Sequence, residues 1–106
     1  MSQVVHTIPA LPEAPLEAAA AYFADHHAQT CALIADESVT SLVVLMETAA
    51  TDHDAWRRAL AGDLARAFAP RRCNVIGAAS EEAAAPLLSY LEGAHGLTGQ
   101  YLASYE

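Results

Sequence analysis

The sequence predicts an α/β fold of about four mostly parallel strands alternating with three helices. Three observations carry this. Short apolar runs alternate with longer stretches of helical periodicity along the chain, the pattern of a parallel sheet with crossover helices. The run Ser41 to Met46 is apolar without alternation, as a strand buried on both faces is. Asp52 to Gly77 gives an amphipathic helix, a basic turn and a short strand in succession.

The elements follow in order. Gln3 to Ile8 carries Val4, Val5 and Ile8 and stops at Pro9, which predicts a short strand. Pro9 to Pro15 is a proline-studded connector, and Pro15 suits a first helical turn, where its missing N–H costs nothing. From Leu16 the positions Leu16, Ala20, Phe23, Cys31 and Ile34 fall on one helical stripe, with His27 on it too. The helix is expected to run to about Asp36. Gln29 to Ala35 could also form a strand, but no glycine or proline interrupts the helix.

After the Ser41 to Met46 strand, Thr51 or Asp52 can cap a helix that has Asp54 in its first turn. Its stripe is Trp56, Leu60, Leu64, Ala67 and Phe68. Pro70 ends it, and Arg71-Arg72 lead into the strand Cys73 to Ile76. Gly77 to Ser80 forms a turn, and Glu81-Glu82 suit a helix start. Pro86 either kinks that helix or marks where its regular part begins. Gly93 is the expected C-terminal cap. Thr98-Gly99-Gln100 introduces a last strand, Tyr101 to Ala103.

The 106 residues suffice for a single domain over 1–106. A net charge of −8 argues against nucleic acid and anionic membranes, since phosphate binding requires a basic patch. No apolar run approaches the roughly 20 residues of a membrane helix. The first six residues show no secretory pattern, so a cytoplasmic location with reduced thiols is expected. An apolar fraction of 54%, much of it alanine, suggests a modest core and some apolar surface available for association. All five cations are arginines, from Arg57 to Arg72, read as a solvated helix face and turn, with Asp54 and Asp63 at helical spacing to offset them.

Asp52 to Ala69, Arg72-Cys73-Asn74-Val75-Ile76 and Thr98-Gly99-Gln100 together resemble the C-terminal half of a short-chain dehydrogenase/reductase. The last two segments look like that family's Arg-Val-Asn-Ala-Ile strand and its Thr-Gly-Gln. The resemblance implies a Rossmann-like half-domain. It implies that the helix from Leu16 and the helix from Asp52 are the pair through which those enzymes usually dimerise. It also sets the family's catalytic tyrosine and lysine near Ala50 and Asp54, which supply neither the transferable proton nor the cation that lowers its pKa. No lysine occurs anywhere in the chain, and the glycine-rich phosphate loop is missing too. No catalytic, cofactor-binding or metal-binding residue carries over.

Other constellations have plain structural explanations. Gly93, Gly96 and Gly99 precede a strand and do not open a helix, so turn and cap roles account for them. His26, His27 and Cys31 could offer metal ligands, as could Asp52, His53 and Asp54, but neighbouring helical residues point apart. His27 is expected on the apolar stripe, and His53 in an exposed first turn. Cys73 is expected to be an inert core thiol, and Arg71 and Arg72 to face solvent.

Right-handed crossovers between strands in sequential order would collect every helix on one face of the sheet. Yet Leu42, Val44 and Met46 point one way and Val43 and Leu45 the other. Either the last helix covers the second face or another chain does, and the protein is expected not to be a lone monomer. Small residues Ala55, Ala59, Gly62 and Ala65 offer close approach either to a partner helix or to the sheet. Two functional classes result. One is a non-catalytic domain acting through association as a homo-oligomer (dimer) or with a related full-length subunit. The other is a small-molecule or nucleotide binder using Glu47, Thr48, Asp52, Gly77 and Ser80 at the C-terminal edge of the strands.

Overall fold

A computed structural model describes residues 2–104. Its strands β1 (Ser2–Thr7), β2 (Val39–Met46), β3 (Arg72–Gly77) and β4 (Tyr101–Ala103) form one sheet in the order β1-β2-β3-β4. Every neighbouring pair is parallel, with Val4 beside Leu42, Leu42 beside Cys73 and Val75 beside Tyr101. The fold class and all four expected strands are present, and β2 begins slightly earlier than expected.

The helices number four among the described residues. The expected long helix is divided at His26 into α1 (Pro15–Asp25) and α2 (His27–Ala35). Gln29 to Ala35 is therefore helical. α3 (Asp54–Phe68) follows a 3-10 turn, Thr51–His53, so no side chain caps it and neither Thr51 nor Asp52 acts as expected. α4 (Glu81–Gly93) starts at Ser80, whose Oγ accepts from Ala83 N at 3.0 Å, and continues through Pro86. Gly93 is its last helical residue, and Ala94 takes the cap position.

The two faces of the sheet carry separate cores. Leu42, Val44, Met46, Cys73 and Val75 pack with Tyr22, Ile34, Leu60 and Leu64 under α1, α2 and α3. Val43, Leu45 and Ile76 pack with Ala84 and Leu91 under α4. The last helix thus covers the second face of β2. The third crossover steps across the sheet in the same direction as the first two but lies on the opposite face, so its hand is opposite. The expectation of helices gathered on one face by crossovers of a common hand does not hold. Burial of Val43 and Leu45 contributes roughly 1.5–3 kcal/mol per side chain, and only a helix on that side supplies it.

The buried stripe of α1 and α2 also differs from the expected one. Ala18, Tyr22, Thr30 and Ile34 face the sheet, whereas Leu16 is 87% and Phe23 51% exposed. Tyr22 and Thr30 can be buried because they satisfy each other: Tyr22 Oη donates to Thr30 Oγ1 at 2.8 Å, and Thr30 Oγ1 donates to the His26 carbonyl at 3.2 Å. His6 on β1 closes the group, its Nδ1 lying 2.9 Å from Thr30 Oγ1. Apolar periodicity cannot register a polar pair of this kind.

Arg71 and Arg72 are half-buried and engaged with helix ends, not free in solvent as expected. As consecutive residues entering a strand they point to opposite faces. Arg71 Nη1 donates to the carbonyl of Ile34 at the end of α2. Arg72 Nη1 donates to the carbonyls of Leu91 and Ala94 at the end of α4, at 2.8 and 2.9 Å. Each cation meets the negative end of a helix dipole, and at α4 it adds to the bonds that the Leu91 and Ala94 carbonyls accept from Ala94 N and Leu97 N. One dipeptide ties the helical layers on both faces to the sheet.

Two of the segments that carry the family resemblance, Arg72 to Ile76 and Thr98 to Gln100, are bonded to one another. Cys73 N donates to Thr98 Oγ1 at 3.0 Å, Gly99 N to Cys73 O at 2.8 Å, and Gln100 N to Asn74 Oδ1 at 3.0 Å. Asn74 Nδ2 donates to Leu97 O at 3.2 Å. Gly99 has φ +75, and a Cβ there would touch Ala65 at 3.4 Å with Gly62 Cα at 3.7 Å. Gly62 and Ala65 therefore receive the β4 loop, while Ala55 and Ala59 remain exposed.

Arg72→Met should lower unfolding free energy by about 1.5–3 kcal/mol, the worth of hydrogen bonds to a charged group. Urea denaturation followed by circular dichroism measures it. An unchanged midpoint would show that the α4 terminus does not depend on this cap.

Candidate functional site

In open α/β sheets ligands bind beyond the carboxyl ends of the strands. Here that edge is formed by the residues following Thr7, Met46, Gly77 and Ala103. A cleft of about 370 Å³ opens there, lined by Leu11, Pro12, Glu13, Glu47, Thr48, Ala49, Ala50, His53 and Arg57. A smaller cleft of about 230 Å³ lies beside it, with Glu47, Ala78, Ser80 and Glu81 in its wall. Glu47 borders both.

Arg57 is the unexpected residue. The charge pattern predicts a solvated face for it, yet it is only 3% exposed. Its Nη1 donates to the Glu47 carbonyl at 2.9 Å and to Tyr101 Oη at 3.2 Å. The guanidinium lies 5.7 Å from the Trp56 ring centre and 5.8 Å from that of Tyr101, within range of cation–π attraction. Nε is buried without an acceptor. Among the described residues no carboxylate forms an ion pair with it, whereas Arg58 pairs with Asp54 at 3.8 Å and Arg66 with Asp63. Removing a charge from water costs several kcal/mol unless it is paired.

Gly77 makes room for this arrangement. A Cβ at that position would stand 2.7 Å from Tyr101 Oη and 2.9 Å from Arg57 Nη1. The end of β3 must therefore be bare for the guanidinium and the phenol to meet.

His53 holds the far wall. It is buried, not exposed as expected. Nε2 donates to the Glu13 carbonyl at 2.8 Å, and Nδ1 accepts from Trp56 Nε1 at 3.1 Å. Both ring nitrogens are used, so the imidazole is neutral and fixed, and neither nitrogen is free for a metal or a substrate proton.

Ala50 lines the cleft, and Asp54 begins α3 in its pair with Arg58. Ala50 carries no ionisable group, and Asp54 lies outside both cleft linings. Thr48 joins the larger cleft and Ser80 the smaller. Gly77 lies beneath Arg57, and Asp52 sits exposed in the 3-10 turn outside both linings. Gly93 and Gly96 meet nothing within 4 Å of where a Cβ would stand.

A second polar group extends from α1 and α2. His27 Nδ1 lies 3.3 Å from Tyr22 Oη, and its Nε2 lies 3.4 Å from Cys31 Sγ. One set of donors satisfies all of it. Cys31 donates to His27, His27 Nδ1 to Tyr22, Tyr22 to Thr30, and Thr30 to the His26 carbonyl. Burial raises the Cys31 pKa, so its thiol stays protonated at neutral pH. No group of three metal-ligating side chains converges among the described residues, and no helix among them is long and apolar enough to cross a membrane.

The four-strand parallel sheet, the docking of Asn74 onto Thr98-Gly99-Gln100 and the open C-terminal edge define a Rossmann-like domain. The model of the family described as short chain dehydrogenase-like protein matches residues 6–104, and the chain belongs to that family. No curated protein and no solved structure matches it.

Two expected outcomes test these environments. Gly77→Ala should destabilise by about 1–3 kcal/mol, the usual cost of overpacking, and should alter Trp56 fluorescence as Arg57 is displaced. An unaltered melting curve and spectrum would contradict the close approach. The second concerns pH. Burial, then nearby His26, lowers the His6 pKa from its ordinary 6.5. Burial pushes Cys73 up from 9.0 to about 11 and Tyr22 up from 10.0 to about 12. Below 6.5 the unfolded chain binds the His6 proton more readily, so stability falls as pH drops through that value. Above 9.0 the unfolded chain loses protons that the folded chain retains, so stability falls again towards about 12. Urea midpoints at pH 5.5, 7.5 and 10.5 should be highest at about 7.5. A flat profile would refute the buried environments.

Proposed function

We propose that this chain is a non-catalytic member of its family that acts by association, forming a homodimer through the outer faces of α1, α2 and α3. The observation that carries this reading is an apolar groove of about 330 Å³ between α1–α2 and α3. Phe23, His27, Cys31, Leu60, Asp63, Leu64, Ala67 and Phe68 line it. Asp63 is the one charged residue of that lining, and Phe23 is exposed over half its surface.

Two further features support it. These helices correspond, by the resemblance drawn from sequence, to the pair through which the family usually dimerises. Ala50 and Asp54 occupy the positions at which that resemblance places the reacting groups. With α4 covering the second sheet face, the case for association now rests on the helices. The partner is a second copy of the chain, and a related full-length subunit is the variant of the idea that mixing experiments address. Neither nucleic acid nor membrane is a partner of a chain with a net charge of −8.

Light scattering on the purified protein should give the mass of a dimer. Phe23→Glu places a charge at the groove rim on an exposed position, so the fold should survive. The dimer dissociation constant should rise by at least about tenfold, equal to roughly 1.4 kcal/mol. A monomer at all concentrations, alone and mixed with a full-length family member, would overturn the reading.

A further inference from the structure

We propose that the cleft beside Arg57 binds a small zwitterion, a molecule with a carboxylate at one end and an ammonium group at the other. The site lies towards the start of α3, whereas the association groove involves Leu60 to Phe68, so the two ideas stand or fall separately.

Part of the Arg57 guanidinium is unused. Nη1 is taken by two neutral acceptors, Glu47 O and Tyr101 Oη. Nε has no acceptor, and no hydrogen bond engages Nη2 among the described residues. Nε and Nη2 form the side-on fork of an arginine, the pair of parallel donors that matches the two oxygens of a carboxylate. Every other arginine in the chain has an acidic partner or a helix end. Arg57 alone is a buried cation facing a cleft with its Nε and Nη2 donors idle.

The remaining charges in the lining select the ligand. Glu13 and Glu47 are both exposed there, and no second cation joins them. A polyanion such as a nucleoside diphosphate would meet one cation and two carboxylates, within a chain of net charge −8. A single carboxylate on Arg57 with an ammonium group towards Glu13 and Glu47 gives each charge of the ligand a partner of opposite sign. Leu11, Pro12, Ala49 and Ala50 make up the apolar part of the lining. A volume of about 370 Å³ suits a molecule of amino-acid size. The His53 bond to the Glu13 carbonyl fixes that wall in advance, so its ordering is not charged against binding.

Titration calorimetry tests the proposal on the whole chain with glycine, 4-aminobutyrate and lysine as zwitterionic probes. Acetate, n-butylamine and inorganic pyrophosphate serve as single-charge and polyanion probes. At least one zwitterion should bind with a millimolar or lower dissociation constant, and acetate and n-butylamine at least about tenfold more weakly than it. Glu47→Gln, an exposed change that should leave folding intact, should weaken the bound zwitterion by at least about threefold while leaving acetate binding no weaker. Arg57→Met should abolish binding of zwitterion and acetate alike. If that variant fails to fold, the Glu47→Gln comparison decides alone. Absence of binding by every zwitterion, tighter binding of pyrophosphate, or equal zwitterion affinity in Glu47→Gln and the parent would each overturn the proposal.

Discussion

Strand β2 is buried along both of its faces, and much of the architecture follows from that constraint. Leu42, Val44 and Met46 require cover on one side and Val43 and Leu45 on the other. Four parallel strands in sequential order, joined by crossovers of one hand, would leave one of those sides bare. The chain meets the requirement by sending α4 back across the opposite face. A crossover of the disfavoured hand is acceptable where it buries apolar residues that nothing else reaches. Arg71 and Arg72 complete the solution. They enter β3 beside β2 and each grips the end of a helix, one above the sheet and one below.

The strands and α3 were legible because their signals are local. A continuous apolar run, a stripe stepped by three and four, and a proline stop are all properties of neighbouring residues. The short motifs were legible in a further sense, since Asn74 and Thr98-Gly99-Gln100 resemble family segments that prove to be hydrogen-bonded to each other. What stayed hidden depends on partners far along the chain. Tyr22 and Thr30 displaced Leu16 and Phe23 from the core because Thr30 meets His6 on a strand. His53 is buried through the Glu13 carbonyl, and Arg57 through Glu47 and Tyr101. A helical wheel drawn on α3 sets Arg57 on the face of Leu60, Ala61 and Leu64, but apolar periodicity does not register a charged residue as part of a buried stripe. The hand of the last crossover was equally hidden, because the sequence shows that Val43 and Leu45 need cover but not which element provides it.

The same reasoning explains why the candidate site could be located in outline but not in substance. Glu47, Thr48, Gly77 and Ser80 were placed at the sheet edge by strand endings alone, and the structure sets them in or beside the two clefts there. The residue that gives the larger cleft its chemistry sits on a helix, one turn beyond the position where the family resemblance expects a lysine. Gly77 offered a faint signal. A glycine at a strand end often marks a close approach by another group, and here that group is the Arg57–Tyr101 pair.

The burial of Arg57 bears on what the fold is for. An apolar side chain of similar volume in place of a buried ion is often neutral or stabilising, because the ion must be stripped of water. Two neutral acceptors and two aromatic rings offset part of that cost, and an idle donor fork does not. The bare Cα of Gly77 adds a second local cost, since glycine within a strand loses more conformational freedom on folding than a residue with a side chain. Both costs fall at the same point, the edge of the sheet where a ligand would enter. Packing and association alone leave the idle fork without a role. A domain that holds a carboxylate there has a use for both: the glycine lets the guanidinium reach its place, and the ligand supplies the acceptor that the chain withholds.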